Sequence, residues 1–92
     1  PDKIIHTVAG FYTIKISELK GQRRLRQLVR PRHMAMHLVR KHTNLSFPDI
    51  GRAFGGRDHA TVPYACKKIR EQLPKDADLR NAVRTIELNL GS

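Results

Sequence analysis

Apolar positions along the chain recur at intervals of three and four, and no segment alternates as a half-buried strand does, so the pattern predicts an all-α domain. The first helix is expected from Asp2, read as its N-cap, to Tyr12, with Ile4, Ile5, Val8 and Phe11 on one face. Ser17 is placed to cap a short turn through Leu19 that Gly21 ends. A basic stretch follows as a loop or irregular helix entry, and Pro31 takes the first position of a second long helix, where its missing N–H leaves no acceptor unmet. In that helix Met34, Ala35, Leu38, Val39 and His42 form the apolar stripe, while His33, His37, Arg40 and Lys41 face away.

Thr43 and Asn44 close the second long helix, and Ser46-Phe47-Pro48-Asp49 opens the third with capping-box spacing and a proline in the first turn. Ile50, Ala53 and Phe54 give this helix its buried face, and Gly55-Gly56 stops it. Asp58 is expected to cap a fourth helix with a stripe of Val62, Ala65, Cys66, Ile69 and Leu73, which Leu73-Pro74 ends. A last helix from about Asp76 carries Leu79, Ala82, Val83, Ile86 and Leu90 on one face. Two short helices joined by a glycine turn follow the helix-turn-helix plan, so the fold class is a small helical bundle with a helix-turn-helix and a preceding basic loop. With the stripe inward, Ala60, Tyr64, Lys67 and Lys68 point outward, and Asp58, His59 and Thr61 stand at the helix tip.

Composition narrows the class. Ninety-two residues make one domain, 1–92, that buries roughly 60 to 65% of its unfolded surface on folding. The apolar share of 39% is enough for a core, and no apolar run has the length of a membrane span. Nothing at the amino end resembles a secretory signal, and a single cysteine, Cys66, excludes an internal disulfide; both fit a cytoplasmic protein. Eighteen Lys and Arg against eight Asp and Glu give a net charge of +10. The excess is clustered: Lys20, Arg23, Arg24, Arg26, Arg30 and Arg32 occur with no acid among them, whereas after Pro74 acids match bases. Clustering of this kind favours a footprint for phosphates over a general solvated surface.

Residues 47–69, Phe-Pro-Asp-Ile-Gly-Arg-Ala-Phe-Gly-Gly-Arg-Asp-His-Ala-Thr-Val-Pro-Tyr-Ala-Cys-Lys-Lys-Ile, resemble the helix-turn-helix of the DnaA family of bacterial chromosomal replication initiators. The resemblance extends upstream through Arg23-Arg24-Leu25-Arg26 and Arg30-Pro31-Arg32-His33-Met34-Ala35-Met36, and covers nearly the whole chain as the family's C-terminal DNA-binding domain. It implies recognition of double-stranded DNA at origin boxes of the type TTATNCACA, one monomer per box, in the initiation of chromosomal replication beside the nucleoid. By position, Arg24 would enter the minor groove, and Asp58, His59, Ala60, Thr61 and Pro63 would meet base edges or thymine methyls in the major groove. Lys20, Arg23, Arg26, Arg32, His33, Ser46, Tyr64, Lys67 and Lys68 would engage phosphates. The family usually has threonine at Ala60, an aliphatic residue at Pro63 and often glutamine at His33. The chain contains no G-x-x-x-x-G-K-[ST] stretch, so the initiator's ATP-binding module is absent and no cofactor is expected in this domain. Starting at Pro1, the chain is expected to be a piece excised from the larger initiator.

Other readings differ in class. A regulator resembling the tryptophan repressor would use a similar motif but bind a palindrome as a dimer, and a basic RNA-binding domain would prefer structured RNA. His33 and His37 are four apart, yet no further ligand completes a zinc site. Cys66 on an apolar stripe reads as a buried small hydrophobe. The first helix, with its apolar face and Lys3, reads as core packing, with contact to acidic phospholipid the alternative that the resemblance also implies. No paired carboxylates and no nucleophile beside a base point to an enzyme.

Overall fold

The computed structural model describes residues 1–21, 25–56 and 60–91. Among them the chain forms six helices and no strand: α1 (Asp2–Tyr12), α2 (Ile16–Lys20), α3 (Arg26–His42), α4 (Phe47–Ala53), α5 (Thr61–Gln72) and α6 (Ala77–Leu90), with a 3₁₀ turn at Leu73–Lys75 before the last. The all-α expectation holds. The centre is α3, which packs on α1, α2, α4 and α5, while α6 closes the far side against α1.

Helix α1 buries Ile4, Ile5, Val8 and Ala9, so the apolar face is taken up by the core. Two expectations change here. Asp2 is the first helical residue rather than the cap, and the carbonyl of Pro1 accepts from Ile5 N–H at 3.0 Å. A carboxylate in the first turn still faces the positive end of the helix. Phe11 remains 39% exposed, because the stripe is centred on Ile5 and Val8, and their continuation by seven and four residues is Tyr12. Tyr12 is half-buried, with Phe11 edge-on at 4.9 Å. Helix α2 starts without help from Ser17: Lys15 N–H donates to Glu18 Oε1 at 2.9 Å, one half of a capping box.

The largest departure is the start of α3. The helix begins at Arg26, five residues before Pro31, which therefore sits inside it. An internal proline costs about 3 kcal/mol, and burial of Leu28, worth about 1.5–3 kcal/mol, together with burial of the Pro31 ring, offsets it. The first turn is tight, with Leu28 N–H on Leu25 O at 3.0 Å. The stripe of α3 is also wider than expected. Met36 is fully buried, because helices cover α3 on several sides. His42 is exposed instead, and its Nε2 lies 2.6 Å from Glu87 Oε2 of α6, an oxygen shared with Lys41 Nζ at 2.8 Å.

The helix-turn-helix follows the expected signals. Ser46 Oγ accepts from Asp49 N–H at 3.2 Å and donates to Asp49 Oδ2 at 2.8 Å. Phe54, with no exposure, anchors the end of α4, and Gly55 and Gly56 turn the chain at φ of 84° and 76°. Helix α5 has Ala60 in its cap position, while the expected cap, Asp58, lies outside the described residues. Pro63 removes no helical bond. It is the third residue of α5, whose N–H has no acceptor within the helix, and the next residue, Tyr64, donates to Ala60 O at 3.2 Å. Val62, Ala65, Cys66 and Ile69 are buried. Asp76 caps α6, accepting from Leu79 N–H at 3.0 Å.

Candidate nucleic-acid interface

Helices α3 and α5 pack so that the first half of one lies beside the outer face of the other. The His33 and Tyr64 rings meet edge-on at 5.8 Å, and Lys68 Nζ stands 6.0 Å from the centre of the Tyr64 ring. A groove between the helices is lined by Val29, Arg30, His33, Tyr64, Lys68 and Gln72. A second groove at its end is lined by Val29, Arg32, His33, Met36 and Thr61. Thus His33 and Arg32 from α3 and Thr61, Tyr64 and Lys68 from α5 share one face.

Most of the remaining candidates line neither groove. Arg26, the first residue of α3, is exposed, and Lys20 is half-buried at the last position of α2. Ala60 is exposed at the entrance to α5, with Thr61 and Pro63 half-buried behind it, and Lys67 is exposed further along. Ser46 is exposed with its hydroxyl engaged by Asp49, outside the two grooves. Arg23, Arg24, Asp58 and His59 lie outside the described residues.

Several cations that charge counting treats alike have internal partners. Arg30 Nη1 lies 3.1 Å from Asp76 Oδ2. Arg40 donates to Leu45 O at 2.9 Å and lies 4.1 Å from the Phe47 ring centre, joining α3 to α4. Arg52 pairs with Asp49, and Arg80 donates to Leu73 O at 2.7 Å. Arg32 is 8% exposed and donates to Glu18 O from Nε at 3.2 Å and Nη2 at 2.7 Å.

Burial holds the His33 imidazole below its usual pKa, and the neighbouring Lys68 adds to the effect. Burial likewise pushes the Cys66 thiol up, as for a packed hydrophobe. Among the described residues no three His, Cys, Asp or Glu converge as metal ligands, and no helix is long and apolar enough to cross a membrane. Sequence reasoning missed Val29 as a groove residue, 47% exposed, and Gln72 at the groove's other end. The signal was available in the spacing: Val29 is four residues before His33 and falls on the same helical face once α3 is known to extend that far.

A family model described as the bacterial dnaA protein helix-turn-helix matches residues 1–69. The chromosomal replication initiator protein DnaA of Roseiflexus castenholzii (strain DSM 13941 / HLO8) is 46% identical over 90 residues, which is 98% of this chain and 19% of that protein. The chain thus spans about 19% of the length of this curated relative. With a glycine-turned helix pair in place and the match running from α1 through most of the second helix of that pair, this chain belongs to the bacterial DnaA helix-turn-helix family.

Proposed function

We propose that the domain binds duplex DNA sequence-specifically at origin boxes of the DnaA type, one monomer per box, and so directs a replication initiator to the chromosome in the cytoplasm. The observation that carries this is the shared face of α3 and α5, where Tyr64, Lys68 and His33 meet, with Arg26 and Lys67 exposed on the same two helices. In this reading α5 enters the major groove with Ala60, Thr61 and Pro63 toward base edges, helped by Asp58 and His59. Arg24 reaches the adjacent minor groove. Lys20, Arg23, Arg26, His33, Ser46, Tyr64, Lys67 and Lys68 set register on phosphates, whereas Arg32, which the resemblance also places on a phosphate, donates to Glu18 O. The domain carries out no chemistry and holds no cofactor; nucleotide turnover belongs to a separate module of the whole initiator.

A titration against a box duplex, single-base variants of it and a random duplex tests the proposal. With five phosphates neutralised by Lys20, Arg23, Arg26, Lys67 and Lys68, log K falls against log[salt] with a slope of about −4 to −5. His59→Ala or Arg24→Ala weakens box binding by about 1–3 kcal/mol and random binding much less, whereas Lys68→Ala weakens both alike. A slope near zero, or an unchanged specificity ratio in the His59 variant, overturns the assignment. Obligate two-to-one binding by sedimentation would favour the repressor-like reading.

A further inference from the structure

Arg32 differs from every other cation of the basic face. Among the described residues it is the one charged side chain that is buried, at 8% exposure. Two arms of its guanidinium converge on a single acceptor, Glu18 O, at 3.2 and 2.7 Å. That carbonyl is among the last of α2, which no helical N–H can reach, so Arg32 from α3 meets a need that α2 cannot meet itself. The end of α2 is constrained from other directions as well. Leu19 is fully buried, and a Cβ at Gly21 would come within 2.8 Å of Ser17 O.

We propose that Arg32 is a positioning residue: it fastens the end of α2 to α3 and so sets where Lys20 and Arg26 meet the duplex, without neutralising a phosphate itself. The inference rests on the DNA-binding reading above. Lys20 closes α2 two residues after the fastened carbonyl, and Arg26 opens the helix that carries Arg32. The two cations therefore belong to different helices, and their spacing depends on the link between those helices. A planar fork suits this link, because it spans two bonds in fixed geometry and stays charged when buried. A lysine offers one compact ammonium and cannot reproduce both bonds.

Titrations of the domain and of Arg32→Lys, Lys20→Ala and the Arg32→Lys/Lys20→Ala pair, on box and random duplexes at fixed salt, test the proposal, with circular dichroism reporting folding. Arg32→Lys keeps the charge, so a phosphate contact would leave box affinity near that of the original; a positioning role weakens it tenfold or more. The pair should lose no more than about twofold beyond Arg32→Lys, because a displaced Lys20 has little left to contribute. Near-original affinity in Arg32→Lys, or losses in the pair that multiply, overturns the proposal. In the original domain, the Arg32 Nε–H resonance should keep its chemical shift and slow exchange as box DNA is added. A shift on titration overturns the proposal whether or not the variants fold. Failure of the original domain to prefer the box over random duplex sinks the DNA-binding reading instead, and is read from a separate arm.

Discussion

Among individual residues, partnership decides what each charge can do. The net charge of +10 was legible at once, but Arg30, Arg40, Arg52 and Arg80 hold internal acceptors, and Lys41 and His42 share Glu87. Apart from Arg52 and Asp49, three apart in α4, those pairings depend on residues distant in the chain or on backbone carbonyls between α-helices, so charge counting could not single them out. The histidines give a test. His33 is held below its usual pKa by burial and Lys68. His37 is lowered by burial, Lys41 and Arg70, against an opposing pull from Glu87. A depressed folded pKa means the neutral form is favoured by folding, so this stability is fully present above the unfolded value of about 6.5 and is lost as pH falls through the folded values. Urea midpoints between pH 7.5 and 5 should fall across that window, and a His33→Gln/His37→Gln variant should show a smaller fall. An identical fall in the variant would remove these histidines as the cause.

At the level of the helices, local signals located most ends and tertiary contacts moved a few. The Ser46 cap, the Gly55-Gly56 turn, the Leu73-Pro74 stop and the Asp76 cap were all legible, because each is a bond or a backbone angle supplied within four residues. The start of α3 was not. The rule that proline opens a helix compares local hydrogen bonds only, whereas Leu28 and Pro31 are buried by packing from other helices. Backbone strain is unevenly handled. Thr13 ends α1 in the left-handed region at φ 55°, with no glycine to relieve it, whereas Gly56 occupies φ 76° with open space around its Cα. A left-handed L-residue costs about 1–2 kcal/mol, and glycine gives back about 0.5–1 kcal/mol in unfolded-state entropy. Thr13→Gly should therefore stabilise by about 0.5–1 kcal/mol and Gly56→Ala destabilise by about 1 kcal/mol, read as opposite shifts in the denaturant midpoint. Shifts of the same sign would show that strain is not the deciding quantity.

For the whole molecule, a radius of gyration of 12.0 Å matches the roughly 12 Å expected of one compact body of this length. All six helices of the described residues contribute buried side chains to one core, and the two helices of the recognition motif are held by it rather than by each other alone. Phe54 joins the turn to that core with no exposure. Phe54→Ala should cost about 3–5 kcal/mol, a large part of the roughly 5–15 kcal/mol available to a small domain. Thermal unfolding followed by circular dichroism checks it, and a loss below about 1 kcal/mol would mean the turn is anchored elsewhere. The juxtaposition of α3 with α5 belongs to this scale too. The spacing of His33 and of Tyr64 each indicated an outward face, yet nothing local says that two such faces adjoin.

The order of residues alone determined that the chain is helical, where most helices stop, which stripes turn inward and that its charge seeks polyanions. Each of these follows from a period, a cap or a count. Only the tertiary structure decided that α3 runs back to Arg26, that Met36 rather than His42 joins the core, that Arg32 is fastened to α2 and that His33 lies against Tyr64. The physical reason is common to all four: burial and distant acceptors outweigh local preference by a few kcal/mol, and both come into being only when helices meet.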